Sequence, residues 1–217
     1  MIITWHGQAC FKIEGEKATV VTDPLGPDYG LKVPRLAADV VTVSHDHGDH
    51  SNIAAVKPAD EGKVFIISNP GEYEVKGVFV YGVASFHDDS QGAERGPNNI
   101  YRIEIDGISI GHLGDLGHAL EQSQLEKLEG VDILMIPVGG TYTIDGKEAT
   151  KVISQIEPRI VIPMHYNIKG LKTPKKIDDL DTFCKEIAIC PKETLNKFKV
   201  TKKDLPQEDL RVVVLEP

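Results

Sequence analysis

Apolar residues along this chain gather in short runs that end at glycine, proline or aspartate. In the first half the runs are MIITW (1–5), ACFKI (9–13), ATVVT (18–22), DVVTV (39–43), KVFII (63–67), VFVYGVAS (78–85), IYRIEI (100–105) and ISIGHLG (108–114). Their β-branched and aromatic content predicts strands, and Gly15, Gly77 and Asp106-Gly107 between them predict hairpin turns. Later, LEQSQLEKLE (120–129), KEATKVISQIE (147–157) and IDDLDTFCKEIA (177–188) carry helical spacing and alternate with VDILMIPV (131–138), RIVIPM (159–164) and LRVVVLE (210–216). Strands first and strand–helix alternation afterwards predict an α/β chain with two sheets covered by helices. The stretch 167–178, with Lys169, Lys172, Lys175 and Lys176 among glycine and proline breaks, reads as a long loop. No repeat, low-complexity tract or linker interrupts residues 1–217, so the chain is read as one domain, long enough to bury a core.

Composition narrows the class. With 41% hydrophobic and 26% charged residues the chain is neither disordered nor fibrous. Acidic residues outnumber basic ones 33 to 24, a net charge of −9, which argues against a general nucleic-acid or anionic-membrane partner while leaving room for a local basic pocket. The opening MIITWHGQACFKIEGEK has no basic n-region and no long apolar stretch, and no run elsewhere approaches a membrane span; both point to a cytoplasmic protein. Cys10, Cys184 and Cys190 form no CxxC and read as small buried hydrophobes of a reducing compartment. Assembly with further copies of the chain stays open.

The chemistry is concentrated in VTVSHDHGDHSN (41–52), where His45, Asp46, His47, Asp49 and His50 follow a buried-strand pattern. Five close-set polar side chains are costly to bury unless something partners them. His45 and His47, two apart, can share a side; Gly48 permits a bend, and Asp49 and His50 can then face a second centre. Asp46 alternates away and reads as solvated. Imidazole and carboxylate suit zinc, manganese or iron, with no thiolate needed. The chain has only eight histidines, and three other apolar strands also deliver such ligands at their ends. VFVYGVASFHDD supplies His87, ISIGHLGDLGH supplies Asp115 with His112 and His118 three residues to either side, and RIVIPMHYN supplies His165.

The order HxHxDH, then His, then Asp, then His resembles the metallo-β-lactamase superfamily over nearly the whole chain. SFHDDSQGAERGPNNIYRI, GHLGDLGHAL, VDILMIPVGGTYTIDGKEA and PRIVIPMHY are similar to the small hydrolases that include ascorbate-6-phosphate lactonase-like proteins. The resemblance implies a four-layer αββα sandwich with two divalent ions per chain at one edge. Carried over, His45, His47 and His87 hold one ion, Asp49, His50 and His165 the second, and Asp115 bridges them. Asp23, in VVTDP, matches an early aspartate and would orient a ligand histidine. The chain departs from the pattern at Gly7-Gln8, where many relatives have Gly-His, and His6 before it reads as structural, as does His112.

The function this implies is hydrolysis of a small ester, lactone or phosphate-bearing substrate by a hydroxide bridging two ions, zinc foremost, with manganese or iron also admissible. Asp49 or Asp115 would hold the attacking hydroxide and accept a proton, and His118 would protonate a leaving group or bind substrate. GAERGPNNIY places Arg95 and Asn98 after His87, where a guanidinium and backbone N–H groups could take an anionic substrate group. A nuclease or phosphodiesterase of the same fold, a redox enzyme and a non-catalytic metal or ligand binder are the alternatives.

Overall fold

A computed structural model describes residues 1–33, 35–191 and 193–217. β1 (Ile2–Trp5), β2 (Phe11–Glu14) and β3 (Thr19–Thr22) form an antiparallel meander, with Phe11 and Ile13 turned inward and Lys12 and Glu14 outward. β4 (Leu36–Ala38) leads into β5 (Val40–Thr42), which lies parallel to β3 with Thr42 opposite Thr22. β6 (Val56–Pro58) returns to pair with β4, and β7 (Phe65–Ile67) extends the first sheet beside β5. β8 (Gly71–Val75), β9 (Val78–Phe86), β10 (Pro97–Ile105) and β11 (Ile108–His112) are antiparallel neighbours in a second sheet. After α1 (Gln122–Lys127) the chain alternates: β12 (Ile133–Pro137), α2 (Gly146–Ile156) and β13 (Ile160–Met164) continue that sheet in parallel. α3 (Leu180–Ile187) follows, and β14 (Phe198–Lys199) and β15 (Arg211–Val212) then close the first and second sheets, giving six and seven strands.

Alternation along the strands decides what each face covers. Val20 and Val40 point between the sheets into the main core with Trp5, Phe11 and Ile103. Val21, Val41 and Val43 point the other way, beneath Leu25, Leu36 and Val56. The outer face of the first sheet is thus covered by the β4–β6 ribbon and adjoining turns. On the other side α2 buries Ala149, Val152 and Ile153 at helical spacing, starts at Asp145 in a capping box with Glu148, and stops at Glu157 before Pro158. The arrangement is an α/β sandwich of two mixed sheets. No helix among the described residues is long and apolar enough to cross a membrane.

The expectation for the cysteines is corrected in part. Cys10 is a buried free thiol, but Cys184 and Cys190, six residues apart, are joined in a disulfide. Ala188, left-handed at the end of α3, turns the chain back on the helix and brings the two together.

β3, β5, β11 and β13 all end on one rim of the sandwich, where loops beyond the carboxyl ends of parallel strands commonly carry ligands.

Candidate metal centre

Each polar residue on this rim is set by the strand behind it. β5 ends at Thr42, and the exit is held by the other sheet. The Tyr101 hydroxyl donates to the Val43 carbonyl (2.8 Å) and the Asn99 N–H to the Ser44 carbonyl (2.8 Å). The carbonyl of His47 then accepts from the N–H groups of His50 (2.9 Å) and Ser51 (3.0 Å), a single tight turn. That turn leaves Asp46 exposed and gathers the rings: His45 lies 4.5 Å from His47 and 4.3 Å from His50, centroid to centroid. His87 directly follows β9. Gly117 packs on its backbone so closely that a Cβ would sit 2.3 Å from the His87 carbonyl carbon. His165 follows β13 with φ 51°, and Asp23 follows β3 with φ 40°. Left-handed conformations at such residues persist only where surroundings impose them.

Asp115 lies at the middle. Its Oδ2 is 3.2 Å from His87 Nε2, 3.2 Å from His165 Nε2, 3.3 Å from His50 Nε2 and 4.0 Å from His45 Nε2. Three overlapping triads have ligand atoms within 4.8 Å of one another: His45–His47–His87, His45–His50–Asp115 and Asp49–His50–His165. His45 Nε2, His50 Nε2 and Asp115 Oδ1 are buried without a hydrogen-bond partner among the described residues. Leaving such groups unpaired costs about 1–3 kcal/mol each, and a cation between them removes that cost. The donor set fits divalent metal on this ground: imidazole nitrogen and carboxylate oxygen, no sulfur.

The aspartate at the end of β3 organises the imidazoles. Asp23, fully buried, accepts from the Ser44 N–H (2.7 Å) through Oδ1 and from the Ser44 hydroxyl (2.6 Å) and His50 Nδ1–H (2.8 Å) through Oδ2. Ser44 Oγ, its proton committed to Asp23, in turn accepts from His45 Nδ1–H (2.9 Å). Both rings are thereby oriented with Nδ1 as donor and Nε2 toward Asp115, so that the neutral form of each carries its lone pair on Nε2. Burial works to raise the Asp23 carboxyl pKa, but the hydrogen bond and charge of His50 outweigh it and lower it. Burial, then the His50 charge, pushes His45 down to about 3, so this imidazole is neutral as a ligand must be. Burial alone would lower His50 and His165 too, but the carboxylate of Asp115 raises both, aided by Asp49.

Two expected residues lie elsewhere. His118 is turned out of the site by Leu116, which is buried, and Gly117: its Nε2 accepts from the Phe86 N–H (3.1 Å) and its Nδ1 pairs with the Ala119 carbonyl (2.7 Å). Asn98 is wholly buried and cannot meet a substrate. Its amide donates to Ser85 Oγ (2.8 Å) and the Leu113 carbonyl (3.0 Å), and its Oδ1 accepts the Asp115 N–H (3.0 Å), which pins the Asp115 loop. His112, also buried, pairs with the Ala9 carbonyl (2.9 Å) beneath the site. His6 lines a separate cleft with Leu31 and Lys169.

A cavity of about 410 Å³ opens onto Asp49, Asp115, His47 and His165, and Arg95 stands in its wall with Tyr29 and Tyr142. Thr173 and Pro174 represent the 167–178 loop there, without its lysines. The Arg95 guanidinium donates to the Thr141 carbonyl (3.0 Å) and lies over the Tyr142 ring, 6.0 Å from its centroid. Its loop closes around the buried Asp88 carboxylate, which accepts from the N–H groups of Ser90, Gly92, Glu94 and Arg95. Burial opposes ionisation there, but those four donors hold the Asp88 pKa down at about 2. Asp88, Tyr29, Ser44 and Gln8 were not singled out from sequence; only Gln8 carried a signal, as a departure from the Gly-His pattern.

Residues 2–165 match the family model of the beta-lactamase superfamily domain. A Thermotoga maritima structure, assigned to the Zn-dependent hydrolases of the metallo-β-lactamase superfamily, is 38% identical at TM-score 0.76 and covers 99% of this chain and 98% of its own. The chain belongs to the metallo-β-lactamase superfamily. A metal-dependent hydrolase of Thermococcus onnurineus is 34% identical over 76% of this chain and 84% of its own length. One of Staphylothermus marinus is 30% identical over 89% and 97% respectively. This member of the superfamily is, like them, a metal-dependent hydrolase, and the expected fold family stands.

Proposed function

We propose that the chain hydrolyses a small ester, lactone or phosphate-bearing substrate at a dinuclear metal site, with His45, His47 and His87 on one ion, Asp49, His50 and His165 on the other, and Asp115 between them. The observation that carries this reading is the Asp115 oxygen set 3.2 Å from one imidazole of each group, His87 and His165. Divalent ions held by these residues would supply Lewis acidity, which lowers the pKa of a bound water from about 15.7 toward about 7 and polarises the bond under attack. Zinc is the first choice, with manganese and iron also compatible with the donors.

The remaining work falls to the chain's own groups. Asp23 and Ser44 take the Nδ1–H of His50 and His45, so that the neutral form of each ring presents its Nε2 lone pair to the centre. Asp49, at the cavity floor, can take a proton released during attack. The Tyr29 hydroxyl stands beside Asp49; partial burial, then the Asp49 charge and hydrogen bond, raise its pKa, so it keeps its proton as a donor toward the leaving group. Arg95 uses one of five guanidinium donors on Thr141 and offers the others to an anionic group on the substrate. A cavity near 410 Å³ fits a small molecule.

The test is a screen of metal-loaded protein against lactones, carboxylic esters, phosphodiesters and nucleic acid, repeated with Arg95→Ala. Small anionic substrates should be turned over, and Arg95→Ala should lower their kcat/KM by about 10–100-fold while sparing neutral analogues. Equal losses on charged and neutral substrates overturn the anionic assignment, and turnover of nucleic acid alone overturns the small-substrate one.

A further inference from the structure

Gln8 is a polar side chain at the centre that none of the three triads includes. It is 1% exposed and left-handed at φ 48°, and its backbone carbonyl is clamped by the Trp5 indole N–H (2.9 Å) and the His165 N–H (3.2 Å). Its side-chain Nε2 lies 3.1 Å from Asp49 Oδ2 and 3.0 Å from His165 Nε2, while its Oε1 is buried with no partner. With Asp49 Oδ2 as acceptor, and His165 Nε2 as a second one in its neutral form, the amide N–H end faces them as hydrogen bonding demands. Once both give their lone pairs to a cation, the N–H end has nothing to donate to and the oxygen remains unpaired. Turning the amide over about its last bond reverses this, bringing an oxygen next to both donor atoms.

We propose that the Gln8 amide oxygen is a further ligand of the ion held by Asp49, His50 and His165. The proposal deepens the dinuclear reading and rests on it. The turned amide oxygen, replacing a nitrogen 3.0 and 3.1 Å from two atoms assigned to that ion, lies within reach of the same cation. The two ions then sit in unlike surroundings. The first has three imidazoles and Asp115. The second has two imidazoles with oxygens from Asp49, Asp115 and Gln8, a set that tolerates a harder ion such as Mn²⁺ better than the first does.

Stepwise titration with Zn²⁺ and with Mn²⁺, in competition with a chromophoric chelator, tests this on the full chain, its Gln8→Leu variant and its Gln8→Glu variant. Gln8→Leu should weaken one of the two binding steps at least about tenfold, Mn²⁺ more than Zn²⁺, and leave the other step unchanged. Gln8→Glu, which keeps an oxygen donor, should retain both steps. In unmutated protein labelled with ¹⁵N at glutamine side chains, the Gln8 amide resonance should move with the equivalent of Zn²⁺ that fills the Asp49 site, a readout independent of how Gln8→Leu folds. Two unaltered steps in Gln8→Leu, equal weakening of Mn²⁺ and Zn²⁺, or a static Gln8 resonance would overturn the assignment while leaving the dinuclear reading intact. Failure of the unmutated chain to bind a second ion would remove both.

Discussion

Replacing Asp23 by asparagine changes almost no volume and tests whether tautomer control at this site is what the hydrogen bonds indicate. In Asp23, Oδ1 is engaged by the Ser44 N–H, so the asparagine oxygen is retained there and its NH₂ group falls where Oδ2 now accepts from the Ser44 hydroxyl and from His50 Nδ1–H. A donor now faces two donors. His50 relieves the clash by moving its proton to Nε2, and Ser44 by turning its hydroxyl toward His45 Nδ1, which moves the His45 proton to Nε2 as well. Each ring then presents an N–H where a lone pair is needed. Loss of an outer partner of a metal ligand costs about 10–100-fold in metal affinity, or about 1.4–2.8 kcal/mol. Losing one charge-assisted bond costs a further 1.5–3 kcal/mol or so in stability of the metal-free fold. Competition titration with Zn²⁺ should show both binding steps weakened in Asp23→Asn. In Ser44→Ala, where only the His45 arm is cut, one step alone should weaken. Thermal melts of metal-free protein separate the affinity loss from unfolding. A folded Asp23→Asn variant with unmutated affinity at both steps refutes the tautomer argument.

Asn98→Ala removes the acceptor of the Asp115 N–H and the donor to Leu113, and should lower stability by about 1–3 kcal/mol and Tm by roughly 2–4 °C per kcal/mol, measured by scanning calorimetry. Metal affinity should fall with pH earlier than ordinary histidine ligands allow. The carboxylate of Asp115 raises His50 and His165 above 6.5 against the pull of burial, a raised pKa keeps the proton to higher pH, and the proton must leave before metal binds. Titrations across pH should therefore show the loss beginning above 6.5 with protons released on binding, and a loss confined below 6.5 would contradict it. Cys10, whose thiol burial pushes up to about 12, should resist thiol reagents in the native chain, and with Cys184 and Cys190 paired no thiol should react before unfolding. Reducing that six-residue link should cost about 2 kcal/mol in a melting experiment and leave metal content unchanged.

The clustering of the candidate metal ligands was legible because their spacing has few other uses. His45, His47, Asp49 and His50 sit directly after a buried strand, and His87, Asp115 and His165 each sit within three residues of a strand end. What supports them was not legible. Ser44 looks like an ordinary turn residue and Asn98 reads as a substrate contact, whereas their roles depend on partners 21 and 17 residues away. His118 misled because three residues from Asp115 suggests proximity, whereas the Leu116–Gly117 turn sends its ring to the Phe86 N–H. Among the strands, β8 (GEYEV) lacked an apolar pattern because it is a largely exposed edge, and β4 and β6, with alanine, lysine and proline, pair only with each other. The Cys184–Cys190 pairing follows from the reversal at Ala188, which no spacing rule encodes.

The convergence of three triads on Asp115 stands or falls on metal stoichiometry. Elemental analysis of the metal-loaded chain and of Asp115→Asn, both confirmed folded, measures it directly. The account predicts two divalent ions per unmutated chain and weakened retention of both together in Asp115→Asn, since its Oδ2 lies 3.2 Å from an imidazole of each group. A single ion in the unmutated chain, or a full complement in Asp115→Asn, contradicts it.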